Sequence, residues 1–203
     1  MKAYQDVFRR VEKKYFLTPR QYESFFSHLQ DFMQVDLYGK HTICNLYYDT
    51  EDFALIRASL EKPAYREKIR LRSYGTPRPE DTVFLELKKK VQGTVYKRRT
   101  PMALADAAQY TANRQLPPGA GQILKEIDYC FGRYHPAAKV FLAYDRIALF
   151  GLEDPDLRVT FDFKIRWRDT ELDLAHGTAG KAYGTHGGKA HKRHAALVLP
   201  PAF

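Results

Sequence analysis

The chain has 203 residues, 44% hydrophobic and 28% charged, which excludes disorder and fibrous repeats and leaves one globular domain or a domain with a tail. Its 33 Lys and Arg against 24 Asp and Glu give a formal charge of +9, pointing to a polyanionic partner: nucleic acid, an anionic membrane or phosphate compounds. Cys44 and Cys130 lie far apart, without His or Cys at metal-ligand spacing, so neither a disulfide framework nor a zinc site is indicated and a reducing, cytoplasmic compartment is expected.

In chain order, period-two alternation predicts a strand over Val7–Phe16. A helix over Thr18–Met33 follows, with Thr18 as N-cap, Pro19 at the first helical position and Gln21 completing a capping box. Its stripe of Tyr22, Phe25, Phe26, Leu29 and Phe32 packs on something apolar. Then come a strand over Thr42–Asp49, a helix over Asp52–Leu60, and strands over Tyr65–Tyr74, Thr82–Lys89 and Thr94–Thr100, the last two joined at Gln92-Gly93. Helices over Pro101–Tyr110 and Gly121–Phe131 are separated by the Pro117-Pro118-Gly119 break. Strands over Val140–Phe150, Leu157–Arg166 and Glu171–Leu174 complete an antiparallel sheet with helices attached. From Leu174 to Phe203 there is no Asp or Glu, and Gly, Ala, Lys and His crowd in, so 177–203 is expected to be a poorly ordered tail behind a domain at 1–176. No apolar run approaches the ~20 residues of a membrane span, and Glu12 falls where a signal peptide would be apolar. A soluble chain is expected, with any delivery to a membrane left to a partner protein.

The chemistry concentrates on strand faces. Arg66, Lys68, Arg70 and Arg72 occupy every second position of one strand, with Tyr65, Ile69 and Leu71 opposite. The next strand sets Val83, Leu85 and Leu87 against Glu86, Lys88 and Lys90. Lys97 with Arg99, Tyr144 with Arg146, and Arg158, Thr160, Asp162 and Lys164 repeat the device, as do Arg10, Glu12 and Lys14 at the start. A single such strand is explained by a sheet with one wet face. Repetition is harder to explain, because like charges ~7 Å apart repel by on the order of 2 kcal/mol at an effective dielectric near 20. A face receiving an anion offsets that repulsion. Curled inward, the sheet becomes a β-barrel or tunnel with a basic lumen, and Tyr65, Leu71, Leu85 and Leu87 lie outside under helices, including the one carrying Phe25 and Leu29. Arginine forks and lysine point charges suit phosphates in series. Glu86 and Glu12 could hold a divalent cation, or form internal ion pairs with Lys88 and Lys14. Aromatics fall in core stripes or on outward strand positions rather than beside the bases, which argues against a nucleic-acid partner.

The strings RRVEKKY, NLYYDT, YREKIRLRSYG, VFLELKKK, GTVYKRR, YDRIAL and DLRVTFD, in this order over about residues 5–174, resemble the polyphosphate-polymerase domain of the vacuolar transporter chaperone (VTC) family, in the triphosphate tunnel metalloenzyme superfamily. The resemblance implies an α+β fold, an antiparallel β tunnel with helices outside, that makes inorganic polyphosphate from the terminal phosphate of ATP with Mn²⁺ or Mg²⁺. By motif, it implies phosphate contacts at Lys14, Arg70, Arg72, Lys88, Lys97, Arg99, Arg146 and Arg158. Arg70, Arg72, Lys88 and Arg146 would hold the triphosphate, with Glu86 or Glu12 on the metal. The lone acid in Arg10-Glu12-Lys14 favours the polymerase branch over triphosphatases and cyclases, which carry several glutamates there. One departure stands out: beyond Leu174 family members continue with a strand holding a metal-binding glutamate and then a helix, and this chain reads as C-terminally incomplete at that point. The competing functions are a non-catalytic polyphosphate- or nucleotide-binding module and a triphosphate hydrolase. Removing Arg70 and Arg72 together is expected to cost triphosphate binding far more than folding.

Overall fold

Antiparallel strand pairing with helices packed on it accounts for the chain, the α+β class that the alternation indicates. The computed structural model describes residues 7–8, 11–92, 94–183 and 193–199, with side chains over 13–92 and 94–183. The elements are β1 (Val7–Phe8), β2 (Val11–Leu17), α1 (Pro19–Leu29), β3 (Met33–Val35), β4 (His41–Asp49), α2 (Ala54–Glu61), β5 (Tyr65–Tyr74), β6 (Thr82–Val91), β7 (Thr94–Ala103), α3 (Leu104–Asn113), α4 (Gln122–Tyr134), β8 (Ala137–Gly151), β9 (Arg158–Arg168), β10 (Lys181–Ala182) and β11 (Arg193–Leu199). They divide between two units. One takes the chain to Phe8, Cys44–Leu142 and Arg168–Thr178; the other takes Arg9–Ile43, Ala143–Trp167 and the chain from Ala179. Among the described residues no pairing joins β1 to β2.

In the first unit the strand order is β1-β7-β6-β5-β4-β8. The β6–β7 hairpin closes in register from Val91 to Thr94, with Gln92 at φ 47°, the left-handed conformation a two-residue hairpin loop needs. One face of this sheet is the core. Ile69, Leu71, Val83, Leu85 and Leu87 are all buried, as are Ala107 and Tyr110 of α3 and Leu124, Ile127, Cys130 and Phe131 of α4. Each such large apolar side chain contributes about 1.5–3 kcal/mol on burial. The Tyr110 ring meets Phe131 edge-on at 5.8 Å, and its hydroxyl donates to Asp128 Oδ1 at 2.9 Å. Charges on this side are paired with opposites. Glu67 is buried here, accepts from the Tyr65 hydroxyl, and stands in register with Lys89, whose Nζ is 3.8 Å from Oε1. Burial, then the Glu67 charge, push the Cys130 thiol up to about 12, so it stays protonated and donates to that carboxylate. Tyr65, expected under helices, is instead 44% exposed, at the very start of β5, with its hydroxyl donating to Glu67.

The α2 helix is started from outside its own sequence. Asp49, the last residue of β4, accepts from the Leu55 and Ile56 N–H groups at 2.9 Å each, and Thr50 Oγ1 accepts from Ala54 N–H at 2.8 Å. The Glu171–Leu174 strand does not form. Arg168 gathers that segment instead, donating to the carbonyls of Glu171 (3.0 Å), Asp173 (2.8 Å) and Gly177 (3.0 Å) with its guanidinium 3.6 Å over the Phe141 ring, so those carbonyls serve a side chain rather than a ladder. Arg168→Met is expected to cost about 3 kcal/mol in a denaturant titration, and Arg168→Lys to recover only part, since an ammonium cannot fork to three carbonyls. Equal stability of Arg168→Met and wild type would contradict this account.

In the second unit the order is β8-β9-β11-β2, with β3 on β8 and β10 on β9. The α1 helix has the predicted cap: Thr18 N–H donates to Gln21 Oε1 at 2.8 Å and Gln21 N–H to Thr18 Oγ1 at 3.3 Å. It ends at Leu29 rather than Met33, because Met33 pairs with Gly151 as the start of β3 and buries itself with Leu149, Val159 and Phe161. Tyr22, Phe26 and Leu29 cover that core, Tyr22 edge-on to Phe161 at 5.1 Å. The helix carrying Phe25 and Leu29 thus packs on β9 of this unit and is not the cover of Leu71, Leu85 and Leu87. The segment 193–199, read from sequence as tail, is β11, paired with both β2 and β9. A strand flanked on both sides satisfies its backbone groups whatever its side-chain pattern, which is why its composition hid it.

Candidate phosphate-binding face

Strand register builds the site from β5, β6 and β7. Arg70, Glu86 and Arg99 are successive cross-strand partners, and so are Lys68, Lys88 and Lys97 one row on, followed by Arg66 and Lys90. With Arg72 one row in the other direction, this face carries Glu86 as its sole carboxylate among the described residues. The helix side pairs Glu67 with Lys89, whereas here lysine stands opposite lysine twice in one row. Directly opposed like charges destabilise a sheet by roughly 0.2–1 kcal/mol each.

Glu86 organises the upper row. Its side chain is 2% exposed; Oε2 accepts from Arg70 Nε at 2.7 Å and lies 2.6 Å from Nη2, while Oε1 lies 3.1 Å from Lys97 Nζ and 3.2 Å from Arg99 Nε. Burial alone would raise this carboxyl; the charges of Arg70, Arg72 and Lys97 outweigh it and hold it at about 2. The guanidiniums are fixed from their other sides. Arg70 Nη1 donates to the Tyr47 hydroxyl (3.1 Å), Arg72 Nε to Asn45 Oδ1 (2.9 Å), and Arg99 Nη2 to the Tyr74 hydroxyl (3.0 Å), Arg99 stacking 3.5 Å from the Phe84 ring. Burial raises the Tyr47 phenol, but Arg70, Arg72 and Lys68 together bring it below its ordinary value. Donors held this way lose little freedom when an anion arrives.

Arg66 and Lys68, read from alternation, thus share one face with Arg70, Arg72, Lys88, Lys97 and Arg99, read from alternation and motif alike. Both readings missed Asn45, Tyr47 and Tyr74. The alternation of Asn45, Tyr47 and Asp49 in NLYYDT was the available signal; Asp49 then turns to cap α2. Lys14, Arg146 and Arg158 belong to the other unit. There Lys14 and Arg158 are exposed and stand opposite Ala196 and Val198 of β11, and Arg146 forks onto Asp162 at 2.7 and 2.8 Å. Lys164 takes φ 48°, and beyond it Arg166 donates to Asp145 Oδ1 (3.2 Å), so the face shared by Arg158, Thr160 and Asp162 does not continue to Arg166 as strict alternation would have it.

Glu86 does not fit a divalent metal. Three cations already surround it, so a dication would meet net repulsion where it needs several oxygen ligands. Asp162 is likewise occupied by Arg146. Among the described residues no group of three His, Cys, Asp or Glu stands close enough to hold a metal ion. The Glu12 side chain lies outside the described residues.

A helix-backed antiparallel sheet whose other face carries in-register cations is, by its chemistry, a surface for anions. The chain belongs to the VTC-domain family, whose model matches residues 9–197 and so extends past Leu174 through most of β11. Two solved structures share the fold, each described as a "putative adenylate cyclase". The one from Bacillus halodurans is 12% identical, with a TM-score of 0.59 over 96% of this chain and 82% of that one. The one from Vibrio parahaemolyticus is 14% identical, with a TM-score of 0.52 over 97% and 78%. No curated protein matches the chain in sequence.

Proposed function

We propose that the β5–β7 face binds the triphosphate of ATP and the anionic chain of polyphosphate, and that the protein transfers the terminal phosphate of ATP to that chain. The carrying observation is the row Lys68–Lys88–Lys97 beside Arg70–Glu86–Arg99: five cations gathered in register on one face around a single carboxylate, next to guanidiniums already fixed. Phosphoryl transfer asks mainly for position and charge stabilisation. In the proposed step a terminal oxygen of the acceptor phosphate attacks the γ-phosphorus of ATP, the bond to the β,γ-bridging oxygen breaks, and ADP leaves with that electron pair. Arg70, Arg72 and Arg99 orient the triphosphate, and Lys68, Lys88 and Lys97 offset charge on the equatorial and leaving oxygens. For Lys14, Arg146 and Arg158 of the other unit, phosphate contact is what the motif resemblance implies, and the step assigns them no part. Mn²⁺ or Mg²⁺, which the family resemblance implies, finds no fitting carboxylate set among the described residues, and in this reading the chain's own cations carry the charge stabilisation. No helix among the described residues is long and apolar enough to cross a membrane. A cytoplasmic setting, where ATP is abundant, goes with this reading.

The test incubates the chain with ATP and short polyphosphate, with and without Mn²⁺ or Mg²⁺, and follows ADP, orthophosphate and polymer length. ADP with lengthening polymer is expected. ADP with equivalent orthophosphate would move the reading to a triphosphate hydrolase. Tight binding with no ADP would leave a binding module, the second reading that the enclosure of Glu86 by Arg70, Lys97 and Arg99, unsuited to a metal, favours.

A further inference from the structure

Beside the cationic rows, the first unit holds a cavity of about 300 Å³ with mostly apolar walls, formed by the rings of Tyr47 and Phe53 with Ile56, Val140 and Leu142, and flanked by Lys68 and Lys139. That volume is at the low end of the ~300–1,000 Å³ of small-molecule sites. Two residues belong to both the cavity and the phosphate-facing lattice. Lys68 opens the row that continues to Lys88 and Lys97. Tyr47 lines the cavity while its hydroxyl accepts from Arg70.

A string of phosphates has no apolar part and gains nothing from such walls. An organic group carried at the end of a triphosphate does. Phe53 and Ile56 are 48% and 41% exposed, so a ligand in the cavity still has large apolar area to cover. Phe53 sits at φ 60° ahead of α2, whose first N–H groups are capped by Asp49 and Thr50 rather than by Phe53. Its ring stands under Lys139 Nζ at 5.4 Å.

We propose that this cavity receives the nucleobase end of a nucleoside triphosphate, so that the chain tells a nucleotide from inorganic triphosphate. This rests on reading the cationic face as the triphosphate site. The base is held between aromatic and aliphatic walls, and the Asp49 carboxylate that also lines the cavity is spent on the N–H groups of Thr50, Leu55 and Ile56, so no carboxylate there is left to single out a base amino group. Adenine and guanine nucleotides therefore bind alike.

Competition calorimetry with ATP, GTP and tripolyphosphate on wild type and on Phe53→Ala/Ile56→Ala tests this. The expected result is ATP and GTP within about threefold of each other, a loss of about tenfold for both in the double variant, and tripolyphosphate changed less than about twofold. Nucleotides and tripolyphosphate weakening together, or neither weakening, would overturn the base site and leave the cationic face standing. Failure of wild type to bind tripolyphosphate at all would overturn both. Should the double variant not fold, wild type decides: a fluorescent etheno-adenine triphosphate should be shielded from acrylamide quenching when bound, and equal quenching bound and free refutes the proposal.

Discussion

Glu86→Gln is expected to lower folding stability in phosphate-free buffer by about 3–5 kcal/mol, since removing one partner from a buried ion cluster leaves the others uncompensated. In a chain of this size that corresponds to roughly 10 °C in melting temperature. Arg70, Lys97 and Arg99 would then stand around a neutral amide. Tripolyphosphate should restore much of the loss, because an anion supplies the charge that was removed; at ~100 times its Kd a ligand adds about 2.7 kcal/mol. Wild type should show the same dependence through pH. The carboxyl sits at about 2 folded against 4.5 for the ordinary group, so its contribution, on the order of 3 kcal/mol, is present above pH 4.5 and lost as pH falls from there toward 2. Thermal melts of both proteins over pH 2–7, with and without tripolyphosphate, check this. A Gln variant as stable as wild type, or one that tripolyphosphate does not rescue, would remove Glu86 from its place as internal counter-ion.

The second large effect separates the lysine row from the arginines. Lys68→Ala/Lys88→Ala is expected to weaken tripolyphosphate binding by roughly 100-fold or more, at about 1.5–3 kcal/mol for each charge-assisted contact. Folding stability should change by less than about 1 kcal/mol, because Lys88 is exposed and Lys68 only half-buried, so neither side chain is part of the core. The arginine pair behaves differently from what alternation alone suggests. Arg70 neutralises Glu86 and Arg72 is buried on Asn45, so Arg70→Ala/Arg72→Ala should lose both ligand affinity and about 3–5 kcal/mol of stability. Isothermal titration with tripolyphosphate, paired with urea unfolding, measures both quantities for both variants. If the lysine variant keeps wild-type affinity, the row is a solvated face and the proposed site is elsewhere.

The sequence by itself determined which face each β5, β6 and β7 side chain takes, because successive strand residues must point to opposite sides and Arg66 to Arg72 leave no room for a slip without exposing Ile69 and Leu71. It also determined the start of α1, whose cap is made within four residues. Nothing in that local order says which residue lies across the ladder. Register alone set Glu86 between Arg70 and Arg99 and so turned a candidate metal ligand into the counter-ion of three cations. The helix of Phe25 was legible as a helix, but its stripe fits any apolar surface, and only the tertiary structure laid it on Phe161 rather than on Leu85. Residues 193–199 show the limit most directly: their order comes from the backbone groups of β2 and β9 on either side, partners distant in the chain, and no property of a Gly- and His-rich tail could announce it.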